Sequence, residues 1–410
     1  MDKKIPTSTT TSSIIFFSED PPLKKKGHGL SVLLYNMLSG LKKYRPTVVT
    51  FTPSTTITRS DIVDDAHWEV LLCDNKLHKA TKIRFFTSAM FPVRLLNFLL
   101  YLPAIIKLAR QQPASPVLVS VGASAKPLVF AALLKKFIPN PVWLYIVDDF
   151  EKINELSTNK LERYLTSKFT QPVLKSADRV IVISEGLRQV YKQRHIITAD
   201  VLLPCFAAID ANLQKIPTGS NVFTFVYTGG LNLLYNDTLK LFADKLQELN
   251  SYGSRQYKLI IQTYSSREQF DSLQFDKSVV VYSTSAERSS SLPSYREADC
   301  FLVPYTFEAV KQDLVQTSFP QKVAELIQLK RPILFLGPSY SSVIRFFREQ
   351  QVPYVVDEQN LSSLPEIIEQ LATSETHQAL QENYSRIYRD HFSEVNVKRV
   401  LFDEQMQSQL

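Results

Sequence analysis

Short apolar runs and amphipathic stretches alternate along the first half of the chain. The runs are rich in Val, Ile and Phe, and most are apolar throughout, which is typical of strands buried on both faces of a parallel sheet. A strand followed by a helix, repeated, indicates a doubly wound α/β domain. The predicted strands are 13–18, 47–52, 82–87, 116–121, 142–147 and 179–184, and the predicted helices are 29–43, 92–111, 124–137, 160–177 and 185–194.

The second half repeats this alternation after a stretch, 207–220, that has no hydrophobic period and contains Pro217 and Gly219. Such a stretch is typical of a linker between domains. We therefore predict two doubly wound, Rossmann-like α/β domains facing each other across a cleft, over 1–205 and 206–385, with a helix in 386–410 that packs back on the first domain. The predicted strands of the second half are 222–228, 258–263, 278–282, 300–303 and 332–336, and the predicted helices are 235–249, 292–298, 319–329, 341–349, 362–373, 377–390 and 394–407.

Composition excludes several classes of protein. Of 410 residues, 44% are hydrophobic and 21% are charged, which is ordinary for a globular chain and unlike a disordered one. The net charge of +7 comes without any nucleic-acid-binding motif, so we expect anionic substrates or anionic lipid as partners and no nucleic acid. The three cysteines, Cys73, Cys205 and Cys300, are too far apart for a disulfide framework or a zinc site. We predict a cytoplasmic protein, since sparse cysteines fit a reducing compartment and no apolar stretch is long enough to span a bilayer.

The segment 299–338 carries the strongest candidate chemistry. A buried strand ends at Pro304, a polar loop follows, and Ser318 stands where the N-cap of the next helix is expected. Free backbone N–H groups at that helix start, with Lys322 one turn in, would suit a phosphate. Glu325 lies on the same helical face and could accept two hydrogen bonds from a ribose diol. The other interpretation is an ordinary loop with a solvated lysine–glutamate pair.

Two glycine-containing loops follow predicted strands. Gly229 and Gly230 follow the strand 222–228, where glycine lets the backbone approach a pyrophosphate closely, although a plain tight turn is the more common explanation. Gly27, His28 and Gly29 follow three consecutive lysines after the first strand. That loop would favour an anionic ligand, and its alternative is a solvated basic loop.

Asp148 and Asp149 end the strand 142–147. Neighbouring carboxylates at the edge of a cleft could bind an acceptor hydroxyl or share a raised pKa, which makes them candidate catalytic residues. Capping of the following helix is the alternative role.

The order of these motifs resembles that of family-four glycosyltransferases, the group 1 family with the GT-B fold. Ser318-Phe319-Pro320-x-Lys322-x-x-Glu325 is similar to the family's "(S/L)PxKxxE" donor motif, and Ser176–Arg188 is similar to its "ADxVIxxSE" segment. The family's first glutamate corresponds to Thr317, an arginine to Gly230, a lysine to Asn236, and the histidine of a "VHD" segment to Asp148. The resemblance implies these donor-binding residues: Gly229, Gly230, Arg288, Thr317, Ser318, Phe319, Lys322 and Glu325.

The resemblance also implies the function. It predicts transfer of a sugar from a nucleotide-sugar donor to a glycan or lipid-linked acceptor in polysaccharide or glycoconjugate synthesis, with retention of anomeric configuration and without metal or cofactor. The altered positions favour a second hypothesis, a non-catalytic GT-B-like scaffold or regulatory subunit of a surface-polysaccharide assembly. The apolar segment 91–110 is interpreted either as a helix under the first sheet or as a peripheral contact with an anionic membrane.

Overall fold

The computed structural model describes residues 13–23, 29–51, 62, 69–73, 92, 95–96, 99–209, 221–284, 292–373 and 378–402. The predicted strand over 82–87 lies outside the described residues, as do Gly27, His28 and Arg288.

Seven parallel strands form the first sheet, in the order β3-β2-β1-β4-β5-β6-β7. The central strands are buried at every position, as continuous apolar runs predict. The pattern did not predict β3, whose short apolar core in EVLLC lies between charged residues. The strands are β1 (Ile15–Ser18), β2 (Thr47–Phe51), β3 (Glu69–Cys73), β4 (Val117–Val121), β5 (Val142–Ile146), β6 (Arg179–Val182) and β7 (Asp200–Val201).

Helices pack on the first sheet, and most begin with a recognisable sequence signal. Asn159 and Ser184 accept hydrogen bonds from backbone N–H groups one turn into the helices that follow them, as N-caps do. Pro127 stands in the first turn of its helix, where a missing N–H costs nothing. The helices are α1 (Gly29–Ser39), α2 (Leu102–Gln111), α3 (Lys126–Phe137), α4 (Phe150–Glu155), α5 (Lys160–Ser176) and α6 (Glu185–His195).

The second sheet has six parallel strands in the order β10-β9-β8-β11-β12-β13. They are β8 (Val222–Thr228), β9 (Gln256–Thr263), β10 (Val280–Thr284), β11 (Cys300–Pro304), β12 (Ile333–Leu336) and β13 (Val355–Val356). Its helices are α7 (Asn236–Tyr252), α8 (Arg267–Ser272), α9 (Leu292–Glu297), α10 (Gln312–Thr317), α11 (Val323–Leu326), α12 (Ser342–Glu349), α13 (Leu364–Thr373) and α14 (Gln378–Ile387), followed by a π-helical turn (Tyr388–Phe392) and α15 (Glu394–Phe402).

Each sheet has one pair of neighbouring strands from which the chain connections lead in opposite directions. In the first sheet this pair is β1 and β4, and in the second it is β8 and β11. Such a pair leaves a crevice beyond the carboxyl ends of its two strands, and ligands of open α/β sheets bind there. We call these spaces the first crevice (beyond β1 and β4) and the second crevice (beyond β8 and β11).

The chain crosses between the two halves twice. Phe206 leaves the first half, and its backbone N–H donates to the carbonyl oxygen of Phe392 at 3.0 Å. After that second crossing, α15 packs on the first sheet: Val397 and Leu401 are buried in its core, and Arg179 donates to the carbonyl oxygen of Leu401 at 3.0 Å. The last described helix therefore belongs by packing to the first domain.

The segment predicted as a helix over 92–111 is amphipathic in its described part. In α2, Ile105 and Ala109 are buried, whereas Lys107 and Arg110 are exposed. The described part of the apolar segment 91–110 therefore has one buried face and one exposed, cationic face. Within the described residues, no helix has the length and the apolar character that crossing a bilayer requires.

Candidate functional site

Lys322 lies at the second crevice. Its Nζ donates to Oγ1 of Thr228, the last residue of β8, at 2.6 Å. Burial lowers the pKa of this lysine, and the nearby carboxylate of Glu325 opposes that shift. Because Gly229 follows Thr228 directly, the ammonium group lies beside the glycine pair, in the position expected for binding an anion.

The backbone before Lys322 differs from the prediction of a helix over 319–329. Helix α11 begins only at Val323, and the N–H groups of Val323 and Ala324 donate to the carbonyl oxygens of Pro320 and Gln321 at 3.1 and 3.3 Å. A residue before proline avoids the helical region, so Phe319 cannot open a helix here. The free N–H groups expected at this helix start are therefore already used, and the positive charge at this point comes from Lys322.

Three residues that were predicted to bind the donor make contacts within the fold of the second domain. Ser318 caps the end of α10, not the start of a helix, and its Oγ lies 2.9 Å from Oη of Tyr305. Phe319 is buried in the second core, with its ring 5.7 Å from that of Phe346. Thr317 donates its hydroxyl to the carbonyl oxygen of Asp313 in its own helix at 2.9 Å, so it does not take the place of the family's first glutamate.

Glu325 is 6% exposed and lies in the first turn of α11. A carboxylate so enclosed needs polar partners, since burial of an isolated charge is unfavourable. Its charge acts on Lys322. The two residues thus form one enclosed polar site, in contrast to the solvated pair that was the alternative interpretation.

Gly229 and Gly230 lie close against two tyrosine side chains. A Cβ at Gly229 would lie 2.5 Å from Oη of Tyr227, and a Cβ at Gly230 would lie 2.4 Å from Oη of Tyr264. Tyr227 also donates its hydroxyl to the carbonyl oxygen of Gly230 at 2.8 Å. Tyr227 lies near the end of β8 and Tyr264 directly follows β9, and no sequence motif singles out either residue.

Gly29 connects the two halves across the cleft. A Cβ at this position would lie 2.6 Å from Nε2 of Gln321, the residue directly before Lys322. The start of α1 in the first domain therefore faces the lysine loop of the second domain.

Asp148 and Asp149 follow β5 but have different surroundings. Asp148 is exposed by its surface area, yet protein surrounds it so closely that burial, with the charge of Asp149 as a second cause, raises its pKa to about 7. A carboxyl group at the bottom of a cleft satisfies both observations. Burial raises the pKa of Tyr235 in the second domain, and the charge of Asp148 adds to that shift, so Asp148 lies within electrostatic reach of Tyr235.

Asp149 has the capping role that the sequence left open. Its Oδ1 accepts from the backbone N–H of Lys152 at 3.2 Å, and both its oxygens accept from Arg194 at 3.0 and 3.1 Å. The residue is 2% exposed. With its oxygens used in this way, Asp149 fixes the start of α4 and is not available as a catalytic group.

No family model matches the chain, and a search of curated proteins finds no relative. Solved structures do match over almost the whole chain. The lipopolysaccharide outer core galactosyltransferase WaaB, in its apo form, aligns with a TM-score of 0.61 at 11% identity, covering 97% of this chain and 100% of that one. The N-terminal domain of Candida albicans trehalose-6-phosphate phosphatase aligns with a TM-score of 0.65 at 11% identity, covering 97% of each chain.

The chain has the GT-B fold. A third match is an Escherichia coli trehalose-6-phosphate protein bound to UDP-2-fluoro glucose, with a TM-score of 0.59 at 13% identity, covering 97% of this chain and 98% of that one. In a GT-B protein the two carboxyl-end crevices open toward one cleft. That relation agrees with the contact of Gly29 and Gln321 across it.

Proposed function

We propose that the chain transfers a sugar from a nucleotide-sugar donor to an acceptor hydroxyl, in the synthesis of a polysaccharide or glycoconjugate. The observation that carries this proposal is the position of Lys322, whose ammonium group lies at the end of β8 and next to the loop that faces the first domain. Solved GT-B structures of glycosyltransferases support it through the shared fold.

In this proposal Lys322 binds the donor diphosphate and Glu325 binds the ribose hydroxyls. The acceptor oxygen bonds to the anomeric carbon while the bond to the diphosphate oxygen breaks, and the hydroxyl proton leaves with the diphosphate. Negative charge grows on the diphosphate as that bond breaks, so the fixed ammonium stabilises the transition state more than the ground state. Asp148, whose charge acts on Tyr235 of the second domain, would contact the transferred sugar. By analogy with family four, we also propose retention of configuration and no metal requirement.

Calorimetric titration with UDP, GDP and their sugars, followed by a transfer assay in buffer with and without EDTA, tests this function. We expect one nucleotide to bind, its sugar to be turned over, and EDTA to have no effect. Failure of every nucleoside diphosphate to bind would refute the proposal.

The scaffold hypothesis keeps one specific observation in its favour. Thr317, at the position of the family's first glutamate, is 2% exposed and occupied within its own helix. A scaffold would bind nucleotide without turnover. Binding without hydrolysis or transfer, over a panel of nucleotide sugars, would therefore favour the scaffold over the enzyme.

We also propose that the protein is cytoplasmic and contacts an anionic membrane through residues near α2. Leu96 and Leu100, four residues apart, are 54% and 57% exposed, and Lys107 and Arg110 lie farther along the same segment with exposed side chains. Apolar side chains beside cations suit anionic lipid.

Flotation with vesicles containing phosphatidylglycerol tests this contact at low and at high salt. We expect binding at low salt that Leu96→Asp and Leu100→Asp together abolish. The control is Ile196→Asp, because Ile196 is 90% exposed in the same domain but far along the chain from α2. Equal flotation of all variants, or none by the wild type, would contradict the contact.

A further inference from the structure

Helix α6 of the first domain begins against the end of α10 in the second domain. The hydroxyl group of Ser184 donates to the carbonyl oxygen of Thr317, the last residue of α10, at 2.6 Å. The same hydroxyl oxygen accepts from the backbone N–H of Leu187 at 3.0 Å, so one side chain both caps α6 and bonds across the domain boundary. Because Ser184 is fully buried, a lost hydroxyl group at this point is not replaced by solvent.

Gly186 allows the two helices to meet so closely. Its backbone N–H donates to Oγ of Ser342, the first residue of α12, at 3.2 Å, and Ser342 in turn donates to the carbonyl oxygen of Gln316 in α10. A Cβ at position 186 would lie 1.9 Å from that carbonyl oxygen. A backbone atom cannot turn aside as a flexible side chain can, so a larger residue at 186 would push the domains apart here.

The end of α10 leads directly into the lysine loop, residues 318–322, which joins α10 to α11. The loop follows Thr317 and ends at Lys322, whose ammonium group reaches Thr228 of β8. Near that end, Gln321 faces Gly29 at the start of α1. The first domain therefore makes contact on both sides of this short loop, through Ser184 before it and through Gly29 within it.

We infer that Ser184 is a positioning residue of the donor site. By holding the end of α10 it fixes where the lysine loop begins, and through the loop it sets the place of the Lys322 ammonium group. The inference rests on the proposed function and adds to it a residue of the other domain. It follows that the donor site of the second domain is complete only while the two domains are in contact at Gly186.

Hydrogen exchange of the whole chain, without any ligand, tests this contact. Ser184→Ala should speed exchange at Ser318, Val323 and Ala324, whose backbone N–H groups bond to carbonyl oxygens in α10 and the lysine loop. The matched control is Asn159→Ala, which removes the N-cap of α5, a cap whose bonds stay within the first domain. Unchanged exchange in Ser184→Ala, or the same increase in both variants, would overturn the inference.

Calorimetric titration with UDP and GDP measures the consequence for binding. Ser184→Ala should weaken nucleotide binding about 2- to 10-fold, the effect of one lost hydrogen bond between neutral groups. Gly186→Ala should weaken it more, about 5- to 100-fold, since it forces the backbones apart. Ser184→Thr should restore the affinity, because a threonine hydroxyl also caps and donates. Wild-type affinity in both Ser184→Ala and Gly186→Ala would overturn the inference, and thermal melting checks that each variant is folded.

A double variant shows whether Ser184 acts through the lysine. If it does, adding Ser184→Ala to Lys322→Ala should cause no further loss of nucleotide affinity, whereas independent effects would multiply. A further loss as large as that of Ser184→Ala alone would refute the positioning role.

The same titrations separate this inference from the proposed function. Nucleotide binding by the wild type that Ser184→Ala leaves unchanged would refute the role of Ser184 alone. Absence of nucleotide binding by the wild type would refute the transferase and the role of Ser184 in it, and hydrogen exchange would still show whether the first domain orders the lysine loop.

Discussion

The first and second crevices occupy the same place in their sheets but carry different side chains. The first contains serine hydroxyls and carboxylates, with Ser120 and Glu19 on its wall. The second contains Lys322 and a group of tyrosines, among them Tyr227 and Tyr235, packed around a glycine pair. Both positions follow from strand order, so topology explains where a ligand binds and the loop residues decide which ligand.

This difference separates the two crevices by the charge that each offers a ligand. Lys322 places an ammonium group beside β8, whereas carboxylates lie beside β1. The four predictions below test the separation, beginning with the variant that should have the largest effect.

Asp149→Ala should destabilise the first domain at the start of α4. The change removes the cap of α4 and leaves Arg194 without its main partner. We expect a loss of about 2–4 kcal/mol in the free energy of unfolding, from one cap and one charged hydrogen-bonding pair. Urea denaturation measures it. If the two crevices are independent, the nucleotide affinity of the variant at low urea should equal that of the wild type. A loss of nucleotide binding in parallel with the loss of stability would show that the crevices are not independent.

Lys322→Ala should weaken binding of a nucleoside diphosphate by about 1.5–3 kcal/mol, and binding of the corresponding nucleoside far less. The reason is that the ammonium group contacts phosphate and not the base. Calorimetry measures both ligands. The control is Lys277→Ala, which removes an exposed lysine of the same domain. Equal losses for nucleotide and nucleoside would show that Lys322 acts on structure only.

Glu325→Gln should weaken nucleotide binding by about 1–3 kcal/mol, the range for one hydrogen bond to a charged group. The same change removes the carboxylate that supports the charge of Lys322, so the pKa of that lysine should fall further. We therefore expect diphosphate affinity to decrease more steeply with rising pH in the variant than in the wild type. Unchanged affinity over the whole pH range would remove Glu325 from the donor site.

A separate test of stability, and not of binding, concerns Asp148, whose pKa is raised to about 7 in the folded protein. The folded state then holds a proton that the unfolded chain loses near pH 4. The contribution of Asp148 to the free energy of unfolding should decrease as pH rises from about 4 to about 7 and stay constant above that range. Melting temperatures of Asp148→Asn should lack this decrease. An identical pH dependence in both proteins would show that the carboxyl group titrates normally.

Sequence patterns predicted the sheets well because most strands are buried and carry their own signal. The prediction 222–228 coincides with β8, and 142–147 extends β5 by one residue. The pattern failed at β3, where charged neighbours hide a short apolar core, and at β7 and β13, whose two residues are too few to show a period. It also failed at Phe319, whose burial against Phe346 depends on a distant helix.

The candidate site was only partly predictable, because some of its residues are close in sequence and others come together only in the folded chain. Lys322 and Glu325 are three positions apart, so a local motif reveals them. Ser120 and Ser18 are a hundred residues apart, and nothing near either one indicates that both line the first crevice. The roles of Asp148 and Asp149 also depend on a distant residue, Arg194, which binds one and not the other.

The return of α15 to the first sheet has a consequence for the order of folding during synthesis. Val397 and Leu401 complete a core whose other members lie before residue 206, and Phe402 stacks on Tyr44 with ring centroids 4.1 Å apart. Domains usually fold in the order in which they leave the ribosome. Here the domain that leaves first lacks part of its core until the last helix has been made. The nascent first domain should therefore stay open to chaperones and proteases while the whole second domain is translated.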